Sequence, residues 1–132
     1  MKKIKILLAL FILFIGVNVF AQSKPKVICL VTKANWCPTC KANGERMGKE
    51  VFSSFKDGNV MVVANDLTDD ATKKACKKDL DAAGITKVAE NSTSTGIITL
   101  IDFKTKKVIE TISVAKSSEE IKETINKALK RA

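Results

Sequence analysis

The sequence predicts an α/β domain in which a four-stranded mixed sheet carries helices on both faces. Two apolar runs rich in β-branched residues, at positions 27–32 and 60–65, flank a stretch with helical periodicity, which is typical of a parallel βαβ unit. Two further strand-like runs, joined by a short polar turn, precede an amphipathic helix. With 132 residues, the chain is long enough for one such domain and too short for two ordinary ones.

The first 21 residues have the layout of a secretory signal peptide rather than that of a domain segment. Lysines precede an apolar run, and Val19 and Ala21 stand at the −3 and −1 positions of a cleavage site. We therefore expect residues 1–21 to be removed and residues 22–132 to form a periplasmic or secreted domain without stable membrane insertion. The alternative is an uncleaved anchor, but the apolar run is short beside the ~20 residues that a spanning helix needs.

The first predicted strand, at 27–32, is a nearly continuous apolar run, which suits a central strand buried on both faces. From 38 to 55 apolar residues recur at helical spacing, so one helix is predicted there. Gly44 and Gly48 weaken it by ~1 kcal/mol each relative to alanine. A polar turn then leads into the second strand at 60–65, and the crossover between the two strands is expected to be right-handed.

The second half of the chain predicts a helix, a hairpin and a last helix. The first of these helices begins after a cap at Thr68 or Asp69 and stops at Gly84. The hairpin pairs residues 95–103 with residues 107–114. The last helix is capped by the serine at 117 or 118 and places on one face Ile121, Ile125, Ala128 and Leu129. The order is therefore βαβ followed by ββα, with helices on both faces of the sheet.

The charge pattern argues against a nucleic-acid partner. The chain has a net charge of +9 and remains basic after loss of the leader lysines. Basic residues are mixed with acids along helical stretches, and Trp36 is the one aromatic residue near them outside the apolar pattern. We expect a solvated basic face and a monomer, with only an unspecific electrostatic preference for acidic partners left open.

Cys37 and Cys40 stand where the first strand ends and the first helix begins. The first turn of a helix has unpaired N–H groups and a partial positive charge, which can lower a thiol pKa from ~8.5 to ~3.5–7.5. Pro38 suits this turn because it has no N–H to leave unpaired, Trp36 adds a rigid apolar wall, and Thr39 completes the supporting segment. The pattern predicts an attacking thiolate at Cys37 and a resolving thiol at Cys40, which is expected to be the less exposed.

Other uses of this cysteine pair were weighed from the sequence. A zinc site needs two further ligands, and the chain has no histidine and no second CxxC. A haem attachment fails because Lys41 follows the second cysteine where histidine is required. We therefore expect no metal and no bound cofactor, while a fixed structural disulfide between the two cysteines remains an alternative to a reactive dithiol.

The remaining two cysteines are expected to be small core residues. Cys29 lies within the first strand and Cys76 on the apolar stripe of the second helix. A disulfide between them stays open if their Cα atoms come within ~7 Å. The sequon at Asn91 is interpreted as part of a polar loop rather than a glycan site, and this loop faces either the dithiol or solvent.

The segment ANWCPTCK resembles the active-site segment of the thioredoxin-like superfamily, which carries Trp-Cys-x-x-Cys at the same strand-to-helix corner. The segment VMVVANDLTDD is similar to the second strand and following loop of the C-terminal domain of the bacterial transmembrane disulfide reductase. The resemblance implies a minimal thioredoxin-like fold and an exported thiol–disulfide oxidoreductase. In it Cys37 is the nucleophile, Cys40 resolves and forms the redox disulfide with it, and the partners are protein disulfides or another redox protein. The direction of exchange is not implied.

Three positions depart from that family. Ile98 stands where the family has a cis-proline beside the dithiol, and a trans bond is expected because a non-proline cis bond costs ~2.5–4 kcal/mol. By the resemblance, Ile97 and Ile98 would then form the substrate-binding strand edge. Val31 replaces a buried acid, and the helix-kinking proline is replaced near Gly44. These departures support one alternative function, a non-enzymatic thioredoxin-like module that binds proteins or metal.

Overall fold

The computed structural model describes residues 24–132, and the predicted signal peptide lies outside them. The elements of this part of the chain are β1 Val27–Lys33, α1 Pro38–Arg46, β2 Val60–Asp66, α2 Asp70–Ala83, α3 Thr86–Asn91, β3 Ile97–Asp102, β4 Val108–Ser113 and α4 Ser118–Arg131. None of these helices has both the length and the apolar character needed to cross a membrane.

Strand β1 lies inside a four-stranded sheet of order β2-β1-β3-β4. It runs parallel to β2, with Val27 opposite Val60, and antiparallel to β3, with Val31 opposite Ile98. Strand β4 extends the sheet antiparallel to β3. The predicted mixed sheet is confirmed, and it explains the apolar run of β1, which has a strand on each side and a packed layer on each face.

Two hydrophobic clusters, one on each face of the sheet, form the core. The cluster on the side of α1 and α4 contains Val27, Cys29, Met47, Val51, Ile98, Leu100, Val114, Ile121, Ile125 and Ala128. The cluster on the side of α2 and α3 contains Ile28, Leu30, Val63, Leu80, Ala83, Ile85, Ala89 and Ile101. Successive residues of β1 alternate between them, as the two-residue period of a strand requires. The prediction of helices on both faces is confirmed.

Cys29 and Cys76 lie on opposite faces of this sheet. Cys29 is fully buried in the cluster beside α1 and α4, whereas Cys76 is half-buried against the cluster beside α2 and α3. The sheet separates the two sulfurs, so a disulfide between them is excluded. Both are free thiols; the prediction of a core residue is confirmed for Cys29, whereas Cys76 packs against its cluster and is only partly buried.

The predicted helix ends are confirmed at α2 and α4. The Asp69 carboxylate accepts the Thr72 N–H at 2.8 Å, and the Thr72 hydroxyl accepts the Asp69 N–H at 3.1 Å. Gly84 ends α2 with a φ of 71°, in the left-handed region. At α4 the Ser117 hydroxyl accepts the Glu120 N–H at 3.2 Å, and the Glu120 carboxylate accepts the Ser117 N–H at 3.2 Å. Both are capping boxes.

The prediction of one regular helix over 38–55 is wrong. The α-helix ends at Arg46, a π-helical turn follows over Met47–Val51, and a 3₁₀ turn covers Phe52–Ser54. Met47 and Val51 of the π turn are both buried in the cluster beside α1 and α4. The irregular part of the helix follows Gly44 and includes Gly48, the two glycines that weaken a regular α-helix.

Helix α3 was not predicted from the sequence. It has six residues and no side-chain cap, and Asn91 is its last residue rather than part of a loop. A helix this short is not stable alone, so tertiary burial must hold it. Ile85 and Ala89 supply that burial, since they are 1% and 5% exposed.

Candidate active site

Cys37 occupies the N-cap of α1, at the corner where β1 has ended. Its φ of −82° and ψ of 113° are extended, and Pro38 takes the first turn of the helix. The Cys37 N–H donates to the Ala34 carbonyl at 3.2 Å, and its sulfur accepts the Cys40 N–H at 3.2 Å. The cysteine sulfur thus takes the place that a serine or aspartate oxygen holds at an ordinary N-cap.

Hydrogen bonds converge on the Cys37 sulfur. Burial acts to raise its pKa, but donors around it outweigh burial and bring the pKa below the ordinary thiol value. These donors are the Cys40 thiol, the Thr95 side chain, and the backbone N–H groups of Cys40 and Thr39. Each favours the charged form of the sulfur, so Cys37 is the thiol that ionises first.

The pKa of Cys40 is shifted in the opposite direction, above the ordinary thiol value. Burial raises the pKa of its thiol, and so do the hydrogen bond it gives to Cys37 and the negative charge that develops there. Backbone hydrogen bonds with Ala34 and Gly96 offset only part of this. Both cysteines are free thiols in this structure, so it describes the reduced dithiol. One thiolate beside one protonated thiol is the state from which exchange begins.

The predicted order of exposure is wrong. Cys37 is only 4% exposed, whereas Cys40 is half-buried. The reason is a cavity beside Cys40, where Gly44 and Gly96 have no side chains to cover the sulfur. Trp36, next to Cys37 in the chain, is 56% exposed.

The cavity beside Cys40 has a volume of about 250 Å³ and is mostly apolar. Its lining consists of Val31, Thr32, Lys33, Cys40, Gly44, Met47, Gly48, Phe52, Val62, Ala64, Gly96 and Val114. Val31 lies where the resemblance expects a buried acid, and no carboxylate lines the cavity. Proton transfer from Cys40 therefore has no carboxylate relay among these lining residues.

The segment before β3 reaches the dithiol at Thr95 and Gly96. The Gly96 N–H donates to the Thr32 carbonyl at 2.8 Å, and the Gly96 carbonyl accepts the Val114 N–H at 2.9 Å. Gly96 has a φ of 77°, and a Cβ there would lie 3.4 Å from Thr39. The positive φ favours glycine at this position, and a Cβ would be in ordinary van der Waals contact with Thr39. The sequence reading left open whether this loop faces the dithiol, and it missed Thr95; the one available signal was the hydroxyl-rich run before a glycine.

The structure does not bring Ile98 to the dithiol as a substrate-binding residue. Its side chain is fully buried in the core, and both Ile97 and Ile98 pair with β1 on one side and with β4 on the other. The turn at Gly96 is the cause, because it carries the chain away from the sulfurs and into the sheet. Every peptide bond of residues 24–132 is trans, that before Ile98 included.

A hydrogen-bond relay holds the loop before the nucleophile. The Asn35 N–H donates to the Thr68 hydroxyl at 2.9 Å, and that hydroxyl donates to the Asp66 carboxylate. Burial tends to raise the pKa of Asp66, but hydrogen bonds from Thr68 dominate and lower it. The end of β2 thus fixes the backbone two residues ahead of Cys37.

The dithiol has no further metal ligands around it. Within residues 24–132, no group of three or more histidine, cysteine, aspartate or glutamate side chains is arranged to hold a metal ion. Two sulfurs fall short of the four ligands of a structural zinc site.

Comparisons with known proteins bear on the fold. No model of a protein family matches the chain, and no curated protein matches it. Among solved structures it is similar to the oxidoreductase DsbH, with 15% identity, a TM-score of 0.53 and coverage of 80% of this chain and 74% of the other. It is also similar to StoA from Bacillus subtilis, with 17% identity, a TM-score of 0.51 and coverage of 76% of this chain and 83% of the other.

A thioredoxin from Wuchereria bancrofti is similar over 85% of both chains, with 20% identity and a TM-score of 0.51. Identities this low are evidence about the fold alone. Together with the strand order β2-β1-β3-β4 and the CxxC corner, these likenesses establish that the described part of the chain has a thioredoxin-like fold.

Proposed function

We propose that the protein is an exported thiol–disulfide oxidoreductase that exchanges disulfides with protein substrates or with a partner redox protein. The observation that carries this proposal is the place of Cys37 at the N-cap of α1, where its sulfur accepts the Cys40 N–H at 3.2 Å, and the pKa of Cys37 is lowered there while that of Cys40 is raised. A structural disulfide needs no such asymmetry, whereas an attacking thiolate with a protonated resolving partner does.

In the reducing direction the Cys37 thiolate attacks one sulfur of a substrate disulfide. A mixed disulfide forms with Cys37, and the other substrate sulfur leaves as a thiolate, which takes up a proton. Cys40 then loses its proton and attacks the Cys37 sulfur, so that the second substrate thiolate departs and a Cys37–Cys40 disulfide remains. Two electrons pass from the dithiol to the substrate, and the reverse sequence donates the disulfide.

Loss of the Cys40 proton is expected to be the slow step. No carboxylate lines the cavity beside this thiol, and burial raises its pKa. The departing substrate thiolate, or water that enters the cavity, must therefore accept the proton. We expect the mixed disulfide with Cys37 to last longer than it would if an acid stood at Val31.

The surroundings of the dithiol suit protein substrates. Trp36 is exposed beside Cys37, and we assign it to substrate contact; Pro38 and Thr39 support the helix start and pack the site. Electrons come from or go to a dithiol on another protein, so no bound cofactor is required. Export, cleavage after Ala21 and action as a monomer belong to this proposal and rest on the sequence pattern of residues 1–21 and on the domain's own core.

The test is reduction of a model protein disulfide by residues 22–132, measured with Cys37→Ser, Cys40→Ser and Cys76→Ser variants. The wild type and Cys76→Ser should be equally active, and Cys37→Ser should be inactive. Cys40→Ser should accumulate a mixed disulfide that is visible by mass. Wild-type activity no higher than that of Cys37→Ser would refute the proposal.

A second candidate function is supported by the low exposure of the nucleophile. With Cys37 only 4% exposed, access to its sulfur is narrow, as expected of a non-enzymatic module that binds a protein or a metal. Titration with Zn²⁺ alone, followed by thiol accessibility, separates the candidates. Tight binding that protects both Cys37 and Cys40, combined with negligible exchange, would favour this module.

A further inference from the structure

A buried amide lies behind the segment that meets the dithiol. Asn65 is 6% exposed and belongs to β2, which carries none of the cysteines. Its Nδ2 atom donates toward three oxygens: the Thr32 hydroxyl at 3.3 Å, the Ala89 carbonyl at 3.3 Å and the Ser92 carbonyl at 3.2 Å. One side chain thus joins β2 to β1 and to the end of α3.

These contacts fix one end of the segment that carries Thr95. Ala89 and Ser92 lie at the C-terminal end of α3, where the Ala89 carbonyl also accepts the Ser92 N–H at 3.0 Å. The chain then runs through only four residues, 93–96, before it enters β3. So short a connection leaves little freedom once its start is fixed.

The other end of the segment is held through the same residue of β1. Thr32 is fully buried; its hydroxyl accepts from Asn65, and its carbonyl accepts the Gly96 N–H at 2.8 Å. Thr95 lies between the two anchors, and its side chain is one of the groups that lower the pKa of the Cys37 thiol. Hydrogen bonds thus lead from Asn65 through Thr32 to Gly96, the residue that follows Thr95, and Gly96 lines the same cavity as Cys40.

We propose that Asn65 is a positioning residue of the dithiol, whose buried amide holds the segment 92–96 so that Thr95 reaches the Cys37 sulfur. The proposal rests on the proposed function, because it gives Asn65 a part in preparing the nucleophile. It differs from a purely structural role, in which the amide would only satisfy buried carbonyls and stabilise α3.

The test variant is Asn65→Leu, which keeps a similar volume and removes both N–H donors. Alkylation of Cys37 is followed by mass across a pH series in the folded protein. Its reactivity should shift to higher pH, with a roughly threefold lower rate below the midpoint, as expected when one hydrogen bond to a thiolate is weakened. Thr32→Val removes one acceptor of the Asn65 amide and should shift the pH profile of Cys37 alkylation less, in the same direction. This variant replaces Asn65→Leu as the test if Asn65→Leu does not fold.

Two further variants separate positioning from general destabilisation. Thr95→Val should itself slow alkylation, and adding Asn65→Leu to it should change the profile no further, because the amide acts through Thr95. Leu80→Ala removes core volume beside α2 and should lower the free energy of unfolding without moving the profile. An unchanged profile in folded Asn65→Leu and in Thr32→Val, or full additivity with Thr95→Val, would overturn the proposal.

The outcome is independent of turnover, since alkylation reports on the sulfur alone. A wild type that does not reduce disulfides, yet shows the coupled shift, refutes the proposed function and leaves the role of Asn65 intact. An active wild type in which Asn65→Leu reacts as fast as the parent refutes only the role of Asn65.

Discussion

Cys37 and Cys29 are both buried, yet their environments act on them in opposite ways. Their side chains are 4% and 0% exposed, respectively. At Cys29, in the core of the sheet, burial alone raises the pKa of the thiol to about 12. At Cys37, burial pushes in the same direction, but donors from three residues overcome it and lower the pKa.

The difference shows that low solvent exposure does not by itself decide whether a thiol is protonated or ionised. A helix N-terminus and the segment at Thr95 surround Cys37 with donors that favour the anion, while Cys29 lies among apolar side chains. The two sulfurs are eight residues apart in sequence. The strand-to-helix corner between them accounts for the change from an inert core residue to a candidate nucleophile.

The largest expected effect is a selectivity in alkylation between these two cysteines. At pH 7 in the folded protein, Cys37 should react at least a thousandfold faster than Cys29, because a thiol with a pKa of about 12 is ionised to only roughly one part in 10⁵. The measurement is site-resolved mass analysis after timed alkylation. In denaturant the two cysteines should react at similar rates, which is the control. Similar rates in the folded protein would contradict the difference in pKa between Cys37 and Cys29.

The next largest expected effect is a loss of folding stability at high pH, caused by ionisation of Cys29. Its pKa is higher in the folded than in the unfolded chain, so its contribution is complete below ~8.5 and is lost as the pH rises toward 12. At pH 10 the free energy of unfolding should have fallen by roughly 1–2 kcal/mol through this group. Urea titrations at pH 7 and pH 10 should show the fall in wild type and a smaller one in Cys29→Val. An equal fall in both proteins would contradict the account of Cys29.

A comparable effect on stability, with an additional effect on Cys37, is expected from Gly96→Ala. The φ of 77° costs an L-residue about 1–2 kcal/mol, and this strain falls on the residue that follows Thr95. Gly58→Ala is the matched control, since Gly58 has a φ of 86° in an exposed turn. Both variants should lose stability in urea, and only Gly96→Ala should slow alkylation of Cys37. Equal reactivity in the two variants would mean that the segment does not act on the sulfur.

The smallest expected effect lies in the relay ahead of the nucleophile. Thr68→Val removes the acceptor of the Asn35 N–H and should cost about 1 kcal/mol. Folding lowers the pKa of Asp66, so its contribution is present above ~4 and lost as the pH falls, and the variant should lose less stability in acid than wild type. Thr124→Val, whose hydroxyl bonds only within α4, is the control for urea titrations at pH 7 and pH 3. The same acid sensitivity in all three proteins would argue against the relay.

Local patterns predicted the parts of the fold that local chemistry determines. The run at 27–32 indicated a strand buried on both faces. Asp69 and Ser117 cap the starts of α2 and α4, and Gly84 caps the end of α2, as capping rules require. The position of Cys37 at a helix start also followed from the order of strand and helix. Each of these depends on neighbours within a few residues along the chain.

The parts that were missed depend on contacts between distant segments. Helix α3 depends on the burial of Ile85 and Ala89, and the π turn over Met47–Val51 follows from no spacing of apolar residues in the sequence. Thr95 meets a sulfur 58 positions earlier in the chain, and no periodicity in the sequence encodes that contact. The resemblance predicts the substrate edge at Ile97 and Ile98, whereas the residues before β3 that act on the two thiols in the structure are Thr95 and Gly96.

The central claim is that Cys37 ionises more readily than an ordinary thiol. Its direct test is the rate of alkylation of Cys37 across a pH series in the folded domain, with the same protein in denaturant as reference. The account predicts a midpoint below that of the denatured chain and below the ~8.5 of a free cysteine. A midpoint equal to or above that of the denatured chain would contradict it.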